Sequence, residues 1–210
     1  MFDALNRLDY FLIYASSLVI AITIHEFAHA WTADKLGDPT PGLQGRLTLN
    51  PLAHLDPLGT IMLFLVHFGW GKPVQFDPYN LAHPRRDAAI ISLAGPVSNL
   101  ILATIASIFI RFTGISLISV FLVQLISTNV VLAIFNLIPI HPLDGGKILV
   151  GLLPRDTAHD IDRFLNQYGT LLLIAILFPF FGRQSLVATF ISPIVNIILH
   201  LLLPISSFFI

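Results

Sequence analysis

The chain has 210 residues, 55% of them hydrophobic and only 11% charged, with a mean hydropathy of +0.83. An ordinary soluble domain carries about 25% charged residues, so this composition excludes one and reads as a polytopic membrane protein in a lipid bilayer. A formal net charge of −1 offers no basic surface for nucleic acid, and the absence of cysteine rules out disulfides and thiolate metal sites.

Residues 1–9 are a short polar lead, and 10–33 form the first predicted span, since about 20 apolar residues cross a hydrocarbon core of roughly 30 Å. No cleavable signal peptide is apparent, because this run is too long and carries ionisable residues. Those residues are His25, Glu26 and His29, in the pattern His-Glu-x-x-His. Ionisable groups inside an apolar span are costly and mark function. On a helix, positions i and i+4 share a face, so both imidazoles can grip one metal ion. Glu26, one residue along, is placed to take a proton from water on that metal. A lone histidine on an apolar helix is more often a satisfied interior residue. Two at i,i+4 with an adjacent glutamate would each need a partner in lipid, which favours the metal.

Residues 34–57 are polar and punctuated by Pro and Gly, with a short strand predicted at 45–49. The apolar run 58–68 is too short to span and reads as re-entrant or interfacial. A second strand is predicted at 73–76. Residues 88–110 are the second span, interrupted by Gly95-Pro96, and 115–140 the third, leading into Pro139-Ile140-His141-Pro142-Leu143-Asp144-Gly145-Gly146. Residues 147–168 read as the most polar C-terminal loop. The runs 169–181 and 186–210 are expected to cross as a pair turning at Gly182-Arg183-Gln184. The predicted fold is therefore one all-α membrane domain over 1–210. About five transmembrane helices surround a three-helix core at 10–150, with C-terminal helices over 166–210.

Orientation follows from the basic residues. If 58–68 does not cross, eight of the eleven lie on one side: Lys35, Arg46, Lys72, Arg85, Arg86, Lys147, Arg155 and Arg163. Arg7, Arg111 and Arg183 lie on the other. The first side is then cytoplasmic, in a multi-pass protein of the cell membrane.

Two histidines leave a catalytic zinc site short of its usual third ligand. Asp144 follows the third span on the side of His29, which sits about 6 Å before the end of the first span at 1.5 Å per residue. Pro139 and Pro142 break the helix before it, and Gly145-Gly146 permit close backbone approach. Alone, Asp144 reads better as a helix-terminating Asp-Gly turn. With His25 and His29 present, the ligand reading wins. A full crossing by 58–68 would put Asp144 on the wrong face.

Three dispersed motifs resemble the site-2 protease family of intramembrane zinc metalloproteases: His25-Glu26-Phe27-Ala28-His29, Gly95-Pro96-Val97-Ser98-Asn99, and Asn136-Leu137-Ile138-Pro139 through Leu143-Asp144-Gly145. The RLTLNPLAHLDPLGT and GWGKPV segments resemble a prokaryotic branch of it, here without a PDZ or nucleotide-binding domain. The resemblance implies that His25, His29 and Asp144 bind one Zn²⁺ ion, that Glu26 is the catalytic base, and that a transmembrane protein or peptide is the substrate. It also implies that 10–33, 88–110 and 115–140 are the three core spans.

Three further residues are candidates for substrate binding or transition-state support. Asn136 could bond the substrate backbone or an oxyanion, or equally make an interhelical hydrogen bond. Asn99 has the same two readings, with packing favoured. His54 could support the metal site or touch substrate, or be a plain loop histidine. Gly95 and Pro96 read as a kink and close helix contact, and His67, His83, His159 and His200 as interfacial or structural; His141 could compete as a ligand, against the usual two-histidine, one-carboxylate pattern. Residues 70–76 are expected to pair with an unwound substrate as an edge strand. The rival reading is a metal-binding membrane scaffold or sensor without proteolysis. A transporter is disfavoured because paired repeats are missing. Oligomeric state is unknown from sequence.

Overall fold

A computed structural model describes residues 7–66, 69–177 and 185–204. Eight helices run in order among the described residues: α1 (Arg7–Lys35), α2 (Thr40–Leu43), α3 (Pro57–Val66), α4 (Pro84–Ile110), α5 (Leu117–Asn136), α6 (Asp144–Leu152), α7 (Arg155–Leu177) and α8 (Leu186–Leu202). Three of them, α1, α4 and α5, are long and apolar enough to cross a membrane.

These three helices pack on one another. The buried residues of α1, among them Leu18, Ala21, Ile22, His25, His29 and Ala33, recur at steps of three or four, a stripe aimed at its neighbours. Small side chains line the contacts: Ala21, Ala30, Ala33, Ala103 and Ala133 have no exposed surface. Without a hydrophobic drive between helices in lipid, such residues let backbones approach until van der Waals contact holds them. One apolar cluster joins α4, α5 and α8 through Ala103, Ala106, Leu125, Ile126, Val130 and Val195. A second seats Leu63 of α3 on Leu18 and Ile22 of α1.

Several expectations are corrected. No strand occurs among the described residues, at 45–49 or at 73–76. Leu55 and Gly71 make a single antiparallel bridge. Each stretch instead runs into a proline-started 3₁₀ turn, at Pro51–Ala53 and at Pro78–Asn80. The 147–168 stretch is helical, because its charges fall on one side of α6 and α7 instead of marking a loop. The third span ends at Asn136, before Pro139 rather than at residue 140. Pro96 lies inside α4, which continues through it. His67 and the turn at 182–184 lie outside the described residues.

Chain termini of the helices are set by local chemistry. Ser116 and Ser119 bond reciprocally at the start of α5, a capping box. Asp56 accepts the Gly59 N–H at 2.8 Å, and Pro57 opens α3. At the start of α6, Leu143 is extended and Asp144 is the first helical residue, its charge beside the positive end of the helix dipole. Gly145 is indispensable here. A methyl on it would collide with the carbonyl oxygens of Leu137 and Ile138, so only glycine lets α6 fold back onto the end of α5.

Candidate metal centre

His25 and His29 project from one face of α1, 5% and 7% exposed. Their rings meet edge to face, with centroids 4.5 Å apart. Asp144, delivered by the turn after α5, brings Oδ2 to 3.1 Å from His25 Nε2 and 3.2 Å from His29 Nε2. One donor atom from each of the three lies within 4.8 Å of the others. Residues 25, 29 and 144, named from sequence, thus come together.

The outer nitrogen of each imidazole has its own acceptor. His25 Nδ1–H donates to Asn99 Oδ1 at 2.6 Å, and His29 Nδ1–H donates to the Ile91 carbonyl at 2.7 Å. A neutral imidazole with Nδ1 protonated has a bare lone pair on Nε2. Two such lone pairs therefore converge with a carboxylate oxygen in a buried place. Three acceptors and no donor repel one another unless a cation sits among them. This donor set is the two-histidine, one-carboxylate combination of catalytic zinc, which leaves a fourth position open. The residues present fit a zinc ion.

Helix α4 comes close enough for this because position 95 carries no side chain. A methyl there would lie 2.6 Å from Cε1 of both His25 and His29. The close helix contact expected of Gly95 is its role in the structure.

Glu26 reaches a cap made of two loops. Its Oε2 accepts the Val74 N–H at 2.8 Å. The Lys72 N–H donates to the His54 carbonyl at 2.8 Å, next to the Leu55–Gly71 bridge. Arg46, 4% exposed, donates from one guanidinium nitrogen to the Ala53 and Lys72 carbonyls, riveting the loops together. Sequence reasoning used Arg46 only as a charge to count, yet it organises the wall that holds the glutamate.

The remaining candidates fall elsewhere. Asn99 has no exposed surface and bonds three partners: His25, the Ala21 carbonyl at 3.0 Å and Asn129 Oδ1 at 2.7 Å. It supports a histidine of the metal centre, so packing alone does not describe it. Asn136 donates to the Leu132 carbonyl of its own helix at 3.0 Å, not across helices. His54 is wholly buried, with Nε2–H on the Thr48 carbonyl at 2.7 Å, the placement of a loop-bracing histidine. His141 faces Asp162 at 3.2 Å and is no member of the ligand group. Asn129 was missed. Its only signal is an amide in the middle of an apolar span, which sequence reads as ordinary interhelical glue.

The chain matches the profile of Peptidase family M50 over residues 113–179. It is 38% identical over 194 residues to "Putative zinc metalloprotease YwhC" of Bacillus subtilis, covering 83% of this chain and 89% of that one. It is 31% identical over 187 residues to "Putative zinc metalloprotease Rip2" of Mycolicibacterium smegmatis, covering 83% of this chain and 71% of that one. No solved structure matches at a significant level.

Proposed function

The chain belongs to peptidase family M50 and is a zinc-dependent intramembrane metalloprotease, and from that premise we propose that His25, His29 and Asp144 hold one Zn²⁺ ion while Glu26 serves as the catalytic base. The observation that carries this reading is the convergence of His25 Nε2 and His29 Nε2 on one Asp144 carboxylate oxygen, at 3.1 and 3.2 Å. When bound, the ion lowers the pKa of a water to about 7 and polarises the scissile carbonyl. Glu26 takes the water's proton on its carboxylate and delivers it to the leaving amine. The Val74 N–H holds that carboxylate in place. Asn136 closes α5 eight residues before Asp144 and, half-buried, is our candidate contact for the substrate backbone.

The substrate is a transmembrane segment of another protein, locally unwound so that an amide leaves its helix. Residues 70–76 still face it, but not as a free edge, since the Val74 N–H is already engaged. Helix α3 has 10 residues, about 15 Å, and does not cross. Crossings by α4 and α5 alone return the chain to the side of His29, which the closeness of Asp144 requires. Eight of eleven basic residues make that side cytoplasmic, in the cell membrane. The C-terminal helices α7 and α8 would add two further crossings within one domain over 1–210, in support of which α8 seats Val195 on the α4–α5 core; residues 178–184 and 205–210 lie outside the described ones.

Metal analysis of the purified protein tests the ligand set. One zinc per native chain, and none in His29→Ala or Asp144→Ala, is the expected result. Equal zinc in all three would overturn it.

A further inference from the structure

We infer that Asn129, in the third span, is a positioning residue of the metal centre that acts on His25 through Asn99. The inference rests on the reading of His25 as a ligand and adds a residue from a helix that contributes none.

Asn99 and Asn129 have no exposed surface, and an amide buried in apolar helices persists only when its bonds are made. The bonds form a directed chain. Asn129 Nδ2 donates to the Leu125 carbonyl at 2.8 Å, which turns its Oδ1 toward α4. Asn99 Nδ2 donates to that Oδ1 at 2.7 Å and to the Ala21 carbonyl at 3.0 Å. Asn99 Oδ1 is left for His25 Nδ1–H at 2.6 Å.

The Leu125 and Ala21 carbonyls on which its amides donate only accept, so every amide in it has one permitted orientation. Were Asn99 to flip, its NH₂ would face His25 Nδ1. The proton would then have to sit on Nε2, where the lone pair must face the metal. The Ala21 carbonyl and Asn129 Oδ1 both oppose that flip, each presenting an oxygen where a flipped Asn99 would present another. His29 needs no such support, because the Ile91 carbonyl cannot flip. His25 depends on two side chains from two helices.

A plain interhelical hydrogen bond between α4 and α5 is the rival explanation, and it predicts lost stability with unchanged metal binding. The test uses the full chain purified in detergent, with zinc as the probe in competition with a chelating dye. Asn99→Leu and Asn129→Leu should each weaken zinc binding by about 10–100-fold, the usual effect of removing a partner behind a ligand. The double variant should bind no more weakly than Asn99→Leu alone, because both act along one path. Asn129→Asp, which keeps an oxygen facing Asn99, should bind within a few-fold of native, and it covers the case in which the leucine variant fails to fold. In zinc-free protein, the ¹⁵N spectrum of His25 should show Nδ1–H in the native chain and a mixture of tautomers in Asn129→Leu. Native affinity in Asn129→Leu with a lowered melting point would overturn the inference. So would additive losses in the double variant, or Asn129→Asp binding as poorly as Asn99→Leu. If His25→Ala binds zinc as the native chain does, it is the ligand reading that fails.

Discussion

Gly95→Ala isolates the geometry on which the metal centre depends. The added methyl would lie 2.6 Å from Cε1 of both His25 and His29, and closer still to His29 Nε2. Carbon contacts relax at about 3.5–4.0 Å, so the rings and α4 must separate by about 1 Å. The rings cannot simply retreat. His25 is tied to Asn99 and His29 to Ile91, both on α4, the helix that carries the methyl. Whether the rings swing or the helices part, both ties lengthen together. Metal–ligand distances tolerate about 0.2 Å, so a shift of that size should weaken zinc binding by at least about 100-fold, roughly 2.7 kcal/mol. Overpacking adds about 1–3 kcal/mol of lost stability if the helices are what move. Zinc competition and a thermal melt read the two effects separately. Gly114→Ala is the control, since a methyl there meets nothing within 4 Å. Native zinc affinity in Gly95→Ala would refute the reasoning.

Three further outcomes are expected. Glu26→Gln keeps an oxygen for the Val74 N–H and should retain zinc, while cleavage of a transmembrane peptide in vesicles falls by about 10²–10⁴-fold; persistent cleavage would remove Glu26 as the base. Arg46→Ala leaves the Ala53 and Lys72 carbonyls without their charged donor, worth about 1.5–3 kcal/mol. Amide exchange at 70–76 should quicken with zinc affinity unchanged, and unaltered exchange would show that Arg46 does not brace the cap. Asp38 lies outside the spans, where burial works to raise its pKa but bonds from Thr40, Asn80 and the Asp77 N–H outweigh burial and hold it below 3.8. A carboxylate depressed by folding stabilises above its unfolded pKa, so this contribution should be intact at neutral pH and fade as pH falls below about 3.8. Asp38→Asn should lower the neutral melting point and flatten its acid dependence; an unchanged acid limb would refute the assignment.

The candidate metal group was legible because its chemistry contradicts its surroundings. His25, Glu26 and His29 are conspicuous in an apolar run, and their i,i+4 spacing is itself a statement about one helix face. Asp144 followed from counting crossings, since only a non-spanning 58–68 returns the chain to the correct side. The three long helices were equally plain from length and hydropathy. The helices α6 and α7 were not. Their apolar residues share space with Lys147, Arg155, Asp156, Asp160, Asp162 and Arg163, and average polarity hid a periodic pattern that burial later reveals at Ala158, Leu165 and Gly169.

Polar side chains deep in the spans were the hardest to read, and they carry the most information. Asn99 stands out in sequence by its Gly95-Pro96-Val97-Ser98-Asn99 motif, whereas Asn129 is an amide in an apolar span with no motif around it. What separates a structural amide from one serving a ligand is the identity of the next atom along the chain of hydrogen bonds, and that depends on helix rotation. A turn of about 100°, the step between adjacent residues at 3.6 per turn, would point Asn129 away from α4 and leave Asn99 Nδ2 with Ala21 alone. Periodicity fixes which face is buried but not which of several buried positions meets which. The pairing of 99 with 129 therefore follows from how α4 and α5 pack, while the approach of α4 to α1 is permitted by the glycine at 95. The same small residue that admits the imidazoles also brings the amide of Asn99 within reach of His25, so one backbone approach establishes both the ligands and the support behind them.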